Sequence, residues 1–101
     1  MLTSCVAWFG DATDGAPDPP TTVSTVSVGG IVQVTWSGGS AGVHSKIYVN
    51  GLFLVETTSS ADTYATGYPL ALVHCVQVSH VSAAGLESSA TPSTSGGMIC
   101  P

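Results

Sequence analysis

The stretch His44-Ser45-Lys46-Ile47-Tyr48-Val49-Asn50-Gly51-Leu52-Phe53-Leu54-Val55-Glu56-Thr57 carries the strongest structural signal in this chain. An Asn-Gly pair between two runs rich in β-branched and aromatic residues is the preferred two-residue turn of a β-hairpin, because both turn positions adopt positive φ. The stretch therefore predicts two antiparallel strands, His44–Val49 and Leu52–Thr57, joined at Asn50-Gly51.

Similar short runs lie on both sides of this hairpin, each bounded by Gly, Pro or Ser-rich turn signals, and no window has helical periodicity. The further predicted strands are Thr21–Val28, Ile31–Ser37, Asp62–Thr66, Val73–Val81 and Leu86–Thr91. Short strands in this number and spacing are typical of a β-sandwich. The sequence thus predicts an all-β fold, a seven-stranded antiparallel β-sandwich.

Composition divides the chain into three parts. Residues 1–16 form an N-terminal arm, and Pro17-Asp18-Pro19-Pro20 then holds the chain extended, because proline fixes φ and disfavours helix. The sandwich is predicted over 17–92, and a Ser/Gly-rich tail covers 93–101.

Charge excludes several classes of function. The 101 residues include one basic residue, Lys46, and six carboxylates, for a net charge of −5. A chain with one lysine does not neutralise a phosphate backbone or an anionic membrane, so neither nucleic acid nor membrane is an expected partner. Ser and Thr supply 26 residues, and this weakly charged surface suits close packing against other proteins.

Several segments of residues 17–92 resemble a fibronectin type III-like, immunoglobulin-like domain. The likeness rests on the proline-rich entry, on Val32-Gln33-Val34-Thr35-Trp36, on Ile47-Tyr48-Val49-Asn50-Gly51, and on the run from Val76 to Ser88. The resemblance implies a β-sandwich used for display, spacing or adhesion, and it implies no catalytic activity. Related small domains are widespread as accessory proteins of bacteriophage particles. The family's usual tyrosine early in the sixth strand is replaced here by His74, with Tyr68 as the alternative.

Three cysteines exclude a fully paired intrachain framework. Two interpretations stay open. In one, Cys5 and Cys100 form a disulfide that joins the two terminal segments, or bond to a neighbouring chain. In the other, all three thiols are free and Cys75 is a small, semi-buried strand residue.

The expected contact residues lie outside the sandwich. Trp8 and Phe9 in the arm either pack on their own domain or anchor in a partner's pocket, and Met98 and Ile99 in the tail are candidates for the same role. The arm before Pro17 spans about 50 Å when extended, enough to reach a neighbouring subunit. The expected core residues are Trp36, Tyr48, Val34, Val76 and Val78.

No motif favours catalysis or a cofactor. The chain has no nucleophile elbow or paired-carboxylate spacing, so we expect a non-enzyme without cofactors. His74 and His80 are about 20 Å apart along a regular strand, too far for one metal ion, and no metal site is expected.

The sequence therefore favours a structural or decoration subunit of a phage virion, made in the host cytoplasm and attached through its arm. Its expected partners are capsid or other virion subunits and further copies of itself. The alternatives are a secreted adhesion or carbohydrate-associated accessory module and a subunit of an extracellular filament. A sugar-binding module would place exposed aromatic residues on one sheet face, whereas the outward positions assigned here (Gln33, Thr35, Gln77 and Ser79) have none.

Overall fold

The computed structural model describes residues 16–94, and these form β-strands connected by turns. A single short 3-10 turn, Leu70–Leu72, interrupts the strands of this region. The strands in chain order are β1 Thr22–Val28, β2 Ile31–Ser37, β3 His44–Val49, β4 Leu52–Glu56, β5 Thr63–Pro69, β6 Val76–Val81 and β7 Thr91–Pro92.

The strands form two antiparallel sheets. One contains three strands in the order β1-β2-β5, and the other contains four in the order β4-β3-β6-β7. The predicted hairpin is present: Val49 pairs with Leu52 across a turn in which Asn50 has φ 54° and Gly51 has φ 82°. The all-β expectation is confirmed, with two sheets arranged as in a β-sandwich.

Alternate residues from the facing sheets build one hydrophobic core. Successive strand side chains point to opposite faces, so each strand contributes every second residue. Val34 and Trp36 enter from β2, and Val76 and Val78 from β6, all of them buried. The remaining buried members of the cluster are Val23, Val32, Ile47, Val49 and Val73.

Tyr48 does not lie in this core, contrary to the sequence-based expectation. Its neighbours Ile47 and Val49 are buried, and the two-residue period of the strand therefore turns Tyr48 to the outer face of the four-stranded sheet. There its ring packs edge-on against Phe53, with 6.0 Å between ring centroids and 66° between planes.

The last two predicted strands differ from the observed ones because side chains form hydrogen bonds with their backbone groups. The amide of His74 donates to Asn50 Oδ1 at 2.7 Å, and β6 begins only at Val76. Ser88 Oγ accepts from the amide of His80 and donates to the carbonyl of Ser89, which interrupts the predicted strand Leu86–Thr91. An isolated bridge at Glu87 and the two-residue β7 replace that strand.

The proline-rich entry segment is fastened to the end of the sandwich where β6 finishes. The carbonyl of Asp18 accepts hydrogen bonds from the amide of Ser40 at 3.3 Å and from His80 Nδ1 at 2.8 Å. Thr91 Oγ1 donates to the carbonyl of Pro20 at 2.6 Å. The buried imidazole of His80 thus connects β6 to the start of the domain.

Cys75 lies immediately before β6, is 2% exposed and is disulfide-bonded. The interpretation with three free thiols is therefore wrong for Cys75. Cys75 is buried, as the sequence suggested. The residues around Cys75 contain no information about a disulfide partner that is distant in sequence. Cys5 and Cys100 lie outside the described residues.

None of the described residues belongs to a helix of the length and apolar character needed to cross a bilayer.

Candidate interaction surface

Large apolar side chains are exposed together at the end of the sandwich where β6 begins. Leu52 is 74% exposed, Phe53 58%, Tyr68 41% and Leu72 59%. A single exposed leucine is ordinary, whereas neighbouring exposed apolar side chains mark interaction sites. We call this surface, made by Leu52, Phe53, Tyr68 and Leu72, the apolar end.

A groove of about 270 Å³ runs between these side chains. Val49, Asn50 and Leu54 complete its lining. Sites for drug-sized ligands are typically about 300–1,000 Å³, so this groove is suited to one or two side chains of a partner.

Asn50 holds the two loops of the apolar end together. Its Nδ2 donates to the carbonyl of Leu72 at 2.9 Å, and its Oδ1 accepts from the amides of His74 and Cys75 at 2.7 and 3.2 Å. Its own amide donates to the carbonyl of Cys75 at 2.7 Å. The β3–β4 turn and the 3-10 turn therefore keep one relative position, and the groove is formed before any partner arrives.

The outer face of the four-stranded sheet continues from Phe53 into a polar cluster centred on Glu87. Ser79 Oγ donates to Glu87 Oε2 at 2.5 Å, and the hydroxyl of Tyr48 donates to the same oxygen. Lys46 Nζ lies 3.6 Å from Glu87 Oε1 and 5.8 Å from the centroid of the Phe53 ring. The single lysine of the chain is therefore already paired with a carboxylate.

The cluster shifts the acidity of two of its members. Partial burial raises the pKa of Glu87, but hydrogen bonds from Ser79 and Tyr48 and the charge of Lys46 act in the opposite direction and hold the pKa below its ordinary value. Burial raises the pKa of the Tyr48 hydroxyl, and the adjacent Glu87 carboxylate raises it further. At neutral pH the cluster contains an ionised Glu87 and a neutral Tyr48.

The residues predicted to contact a partner, Trp8, Phe9, Met98 and Ile99, lie outside the described residues. The apolar end was missed by sequence reasoning, although a signal for it exists. Leu52 to Val55 are four consecutive apolar residues in one strand, more than one buried face of a strand can cover, and Leu52 and Phe53 are the members left exposed.

The described region offers no metal centre: residues 16–94 contain no group of three or more His, Cys, Asp or Glu side chains placed to hold an ion. His44, exposed in β3, instead has its Nδ1 within 2.9 Å of the carbonyl oxygen of Thr57. Its ring is also 3.6 Å from a carboxylate oxygen of Glu56.

Comparison with known proteins identifies the fold and no family. No family model matches the chain, and no curated protein matches it. Among solved structures, the crystal structure of the Clostridium perfringens spore cortex lytic enzyme SleM is similar, with a TM-score of 0.62 and 13% sequence identity. The match covers 75% of this chain and 27% of the SleM chain. This chain is thus similar in fold to about a quarter of a longer protein.

Proposed function

We propose that this chain is a non-enzymatic structural and interaction protein, an accessory or decoration subunit that attaches to a larger assembly such as a phage virion. The exposed apolar end is the observation that carries the proposal. It offers a preformed groove and four large apolar side chains to a protein partner, in a chain with few charges to desolvate.

The proposal includes a fibronectin type III-like sandwich of seven strands. Support comes from the pairing of β4 with β3 and the absence of a β4–β5 pair among the described strands. In the constant-type immunoglobulin sandwich the fourth strand instead joins the sheet of the first, second and fifth strands. Folds of this kind are used as spacers and adhesive modules, and they do not by themselves specify a partner.

The disulfide at Cys75 supports a site of action outside a reducing cytoplasm. Disulfides persist on virion surfaces and in secreted proteins, where no thiol pool reduces them. Many identical subunits on one particle also make weak single contacts sufficient, because each bound contact raises the effective concentration of the next.

The test is sedimentation of the native source material, with this chain followed by mass spectrometry. Co-migration with a large particle at many copies per particle is expected. Migration as a 10.1 kDa monomer would refute the assembly proposal.

A second experiment tests the apolar end. Particles from which the chain has been removed are incubated with the double variant Leu52→Ser/Leu72→Ser, for which we expect at least a tenfold loss of binding. Leu86→Ser, at an exposed leucine in the turn after β6, is the matched control and should bind as the native chain does.

A second candidate function is binding of carbohydrate by an accessory module. Tyr48 and Phe53 lie side by side on an outer sheet face, where the sequence assignment had placed no aromatic residue. Aromatic rings beside hydrogen-bonding side chains such as Glu87 are suited to sugar recognition. Pull-down on insoluble chitin, cellulose and peptidoglycan tests this function: retention that Phe53→Ala abolishes and Leu72→Ser preserves would favour it over protein attachment.

A further inference from the structure

The disulfide at Cys75 has two partners available within the sequence, Cys5 in the arm and Cys100 in the tail. The path of the described chain distinguishes them. We infer that Cys75 pairs with Cys100, and that this bond fastens the C-terminal tail beside the apolar end.

The tail leaves the domain next to Cys75. The amide of Ser93 donates to the carbonyl of Val76 at 2.9 Å, which places Ser93 level with the residue that follows Cys75. The amide of Thr94 then donates to the carbonyl of Val23 at 3.2 Å. Cys100 is six residues beyond Thr94, a reach of about 20 Å.

The arm leaves the domain at the opposite end. The carbonyl of Asp18 is bound by His80, which lies five residues along the chain from Cys75, or about 16 Å in extended strand. Cys5 is thirteen residues before Asp18, so its chain would have to return along the whole length of β6. The longer free segment has the lower effective concentration at Cys75, since closure entropy grows with length.

The assignment changes the expected roles of the two terminal segments. Met98 and Ile99 are within two residues of Cys100 in the sequence, so a bond at Cys100 removes their expected role of contacting a distant subunit. Cys5 then has no intrachain partner, and contact with a neighbouring subunit is left to the arm with Trp8 and Phe9.

The disulfide can be assigned by proteolysis, because Lys46 is the one tryptic site in the chain and separates Cys5 from Cys75 and Cys100. The full chain is unfolded in guanidinium at pH 6.5 with N-ethylmaleimide, which blocks free thiols and prevents exchange, and is then digested without reduction. We expect fragment 47–101 unlabelled and fragment 1–46 either labelled once or dimerised through Cys5. Cleavage after Glu56 and Glu87 should then yield peptides 57–87 and 88–101 still joined.

Fragments 1–46 and 47–101 that stay joined until reduction would overturn the assignment, and so would labelling of all three cysteines. Melting provides an independent measurement. We expect Cys100→Ser to lower Tm by roughly 10–20 °C, as for loss of a typical disulfide in a domain of this size, and the matched control Cys5→Ser to leave Tm within about 2 °C. The reverse order of the two variants would also overturn the assignment.

Discussion

Asn50 has two structural roles: its backbone forms the hairpin turn, and its side chain joins that turn to the loop before β6. The turn requires positive φ, which asparagine and glycine adopt and which other residues adopt only with strain. The side-chain bonds to Leu72, His74 and Cys75 depend on the carboxamide alone.

The variant Asn50→Gly separates the two roles of this residue, because glycine retains the turn and removes the carboxamide. We expect the free energy of unfolding to fall by about 1–3 kcal/mol, since two backbone amides and one carbonyl lose their partner. Urea denaturation followed by tryptophan fluorescence measures the change. A value equal to that of the native chain would mean that water replaces the carboxamide without loss.

Glu87 makes stability depend on pH in the acidic range. Its pKa is lower in the folded chain than the ordinary value of 4.5, so its ionised form stabilises the fold above that pH. This contribution is lost as the pH falls through the lower folded-state pKa. We expect the urea midpoint to decrease over this acidic range, and the decrease to be smaller in Glu87→Gln.

Tyr48→Phe provides the companion measurement for this cluster. It removes one of the hydrogen bonds that lower the folded-state pKa of Glu87, so the acid-induced loss should have a smaller amplitude and be complete at a higher pH. An acid profile identical in all three chains would show that Glu87 is not the responsible group.

At the scale of elements, the entry segment and the β2–β3 loop depend on each other. The loop places Gly39 at φ 76° directly against the backbone of the entry segment. A Cβ on Gly39 would overlap the carbonyl oxygen of Pro19 and come within 2.7 Å of that of Asp18. Backbone atoms yield less readily than side-chain ends, so the segment itself would have to move.

We expect Gly39→Ala to be less stable than Gly29→Ala by about 1–3 kcal/mol, because both variants carry positive-φ strain but only the first also overpacks. Gly29 has φ 60° and open space around it, which makes it the matched control. Chemical denaturation of the two variants compares them directly. Equal stabilities would show that the entry segment shifts without loss.

The same scale explains which strands were predictable. The strands β2 and β3 and the hairpin turn at Asn50-Gly51 follow from local alternation and turn chemistry, and the structure has them at the predicted bounds. The predicted strand Leu86–Thr91 was wrong because Ser88 captures backbone groups of His80 and Ser89. The start of β6 shifted because Asn50, distant in sequence, occupies the amides of His74 and Cys75.

At the scale of the whole molecule, the arm and the sandwich have separable roles in the proposed attachment. Deletion of residues 1–10 should abolish attachment to the particle and leave Tm unchanged, if Trp8 and Phe9 insert into a partner. Thermal melting measures the change in Tm, and rebinding of the same sample to stripped particles measures attachment. A large decrease of Tm would show instead that the two aromatic residues pack on their own domain.

The amino-acid sequence by itself determined the all-β class, the hairpin at Asn50-Gly51 and most of the core, because alternation and turn residues act between near neighbours in the chain. Tertiary structure alone decided that Tyr48 faces outward with Phe53, that Glu87 neutralises Lys46, and that Leu52, Phe53, Tyr68 and Leu72 form one apolar end. The Glu87–Lys46 pair and the apolar end join residues that are far apart in sequence, whereas Tyr48 and Phe53 meet across one hairpin. Their positions depend on which face of each sheet is covered and on strand register, and neither is encoded in any single segment.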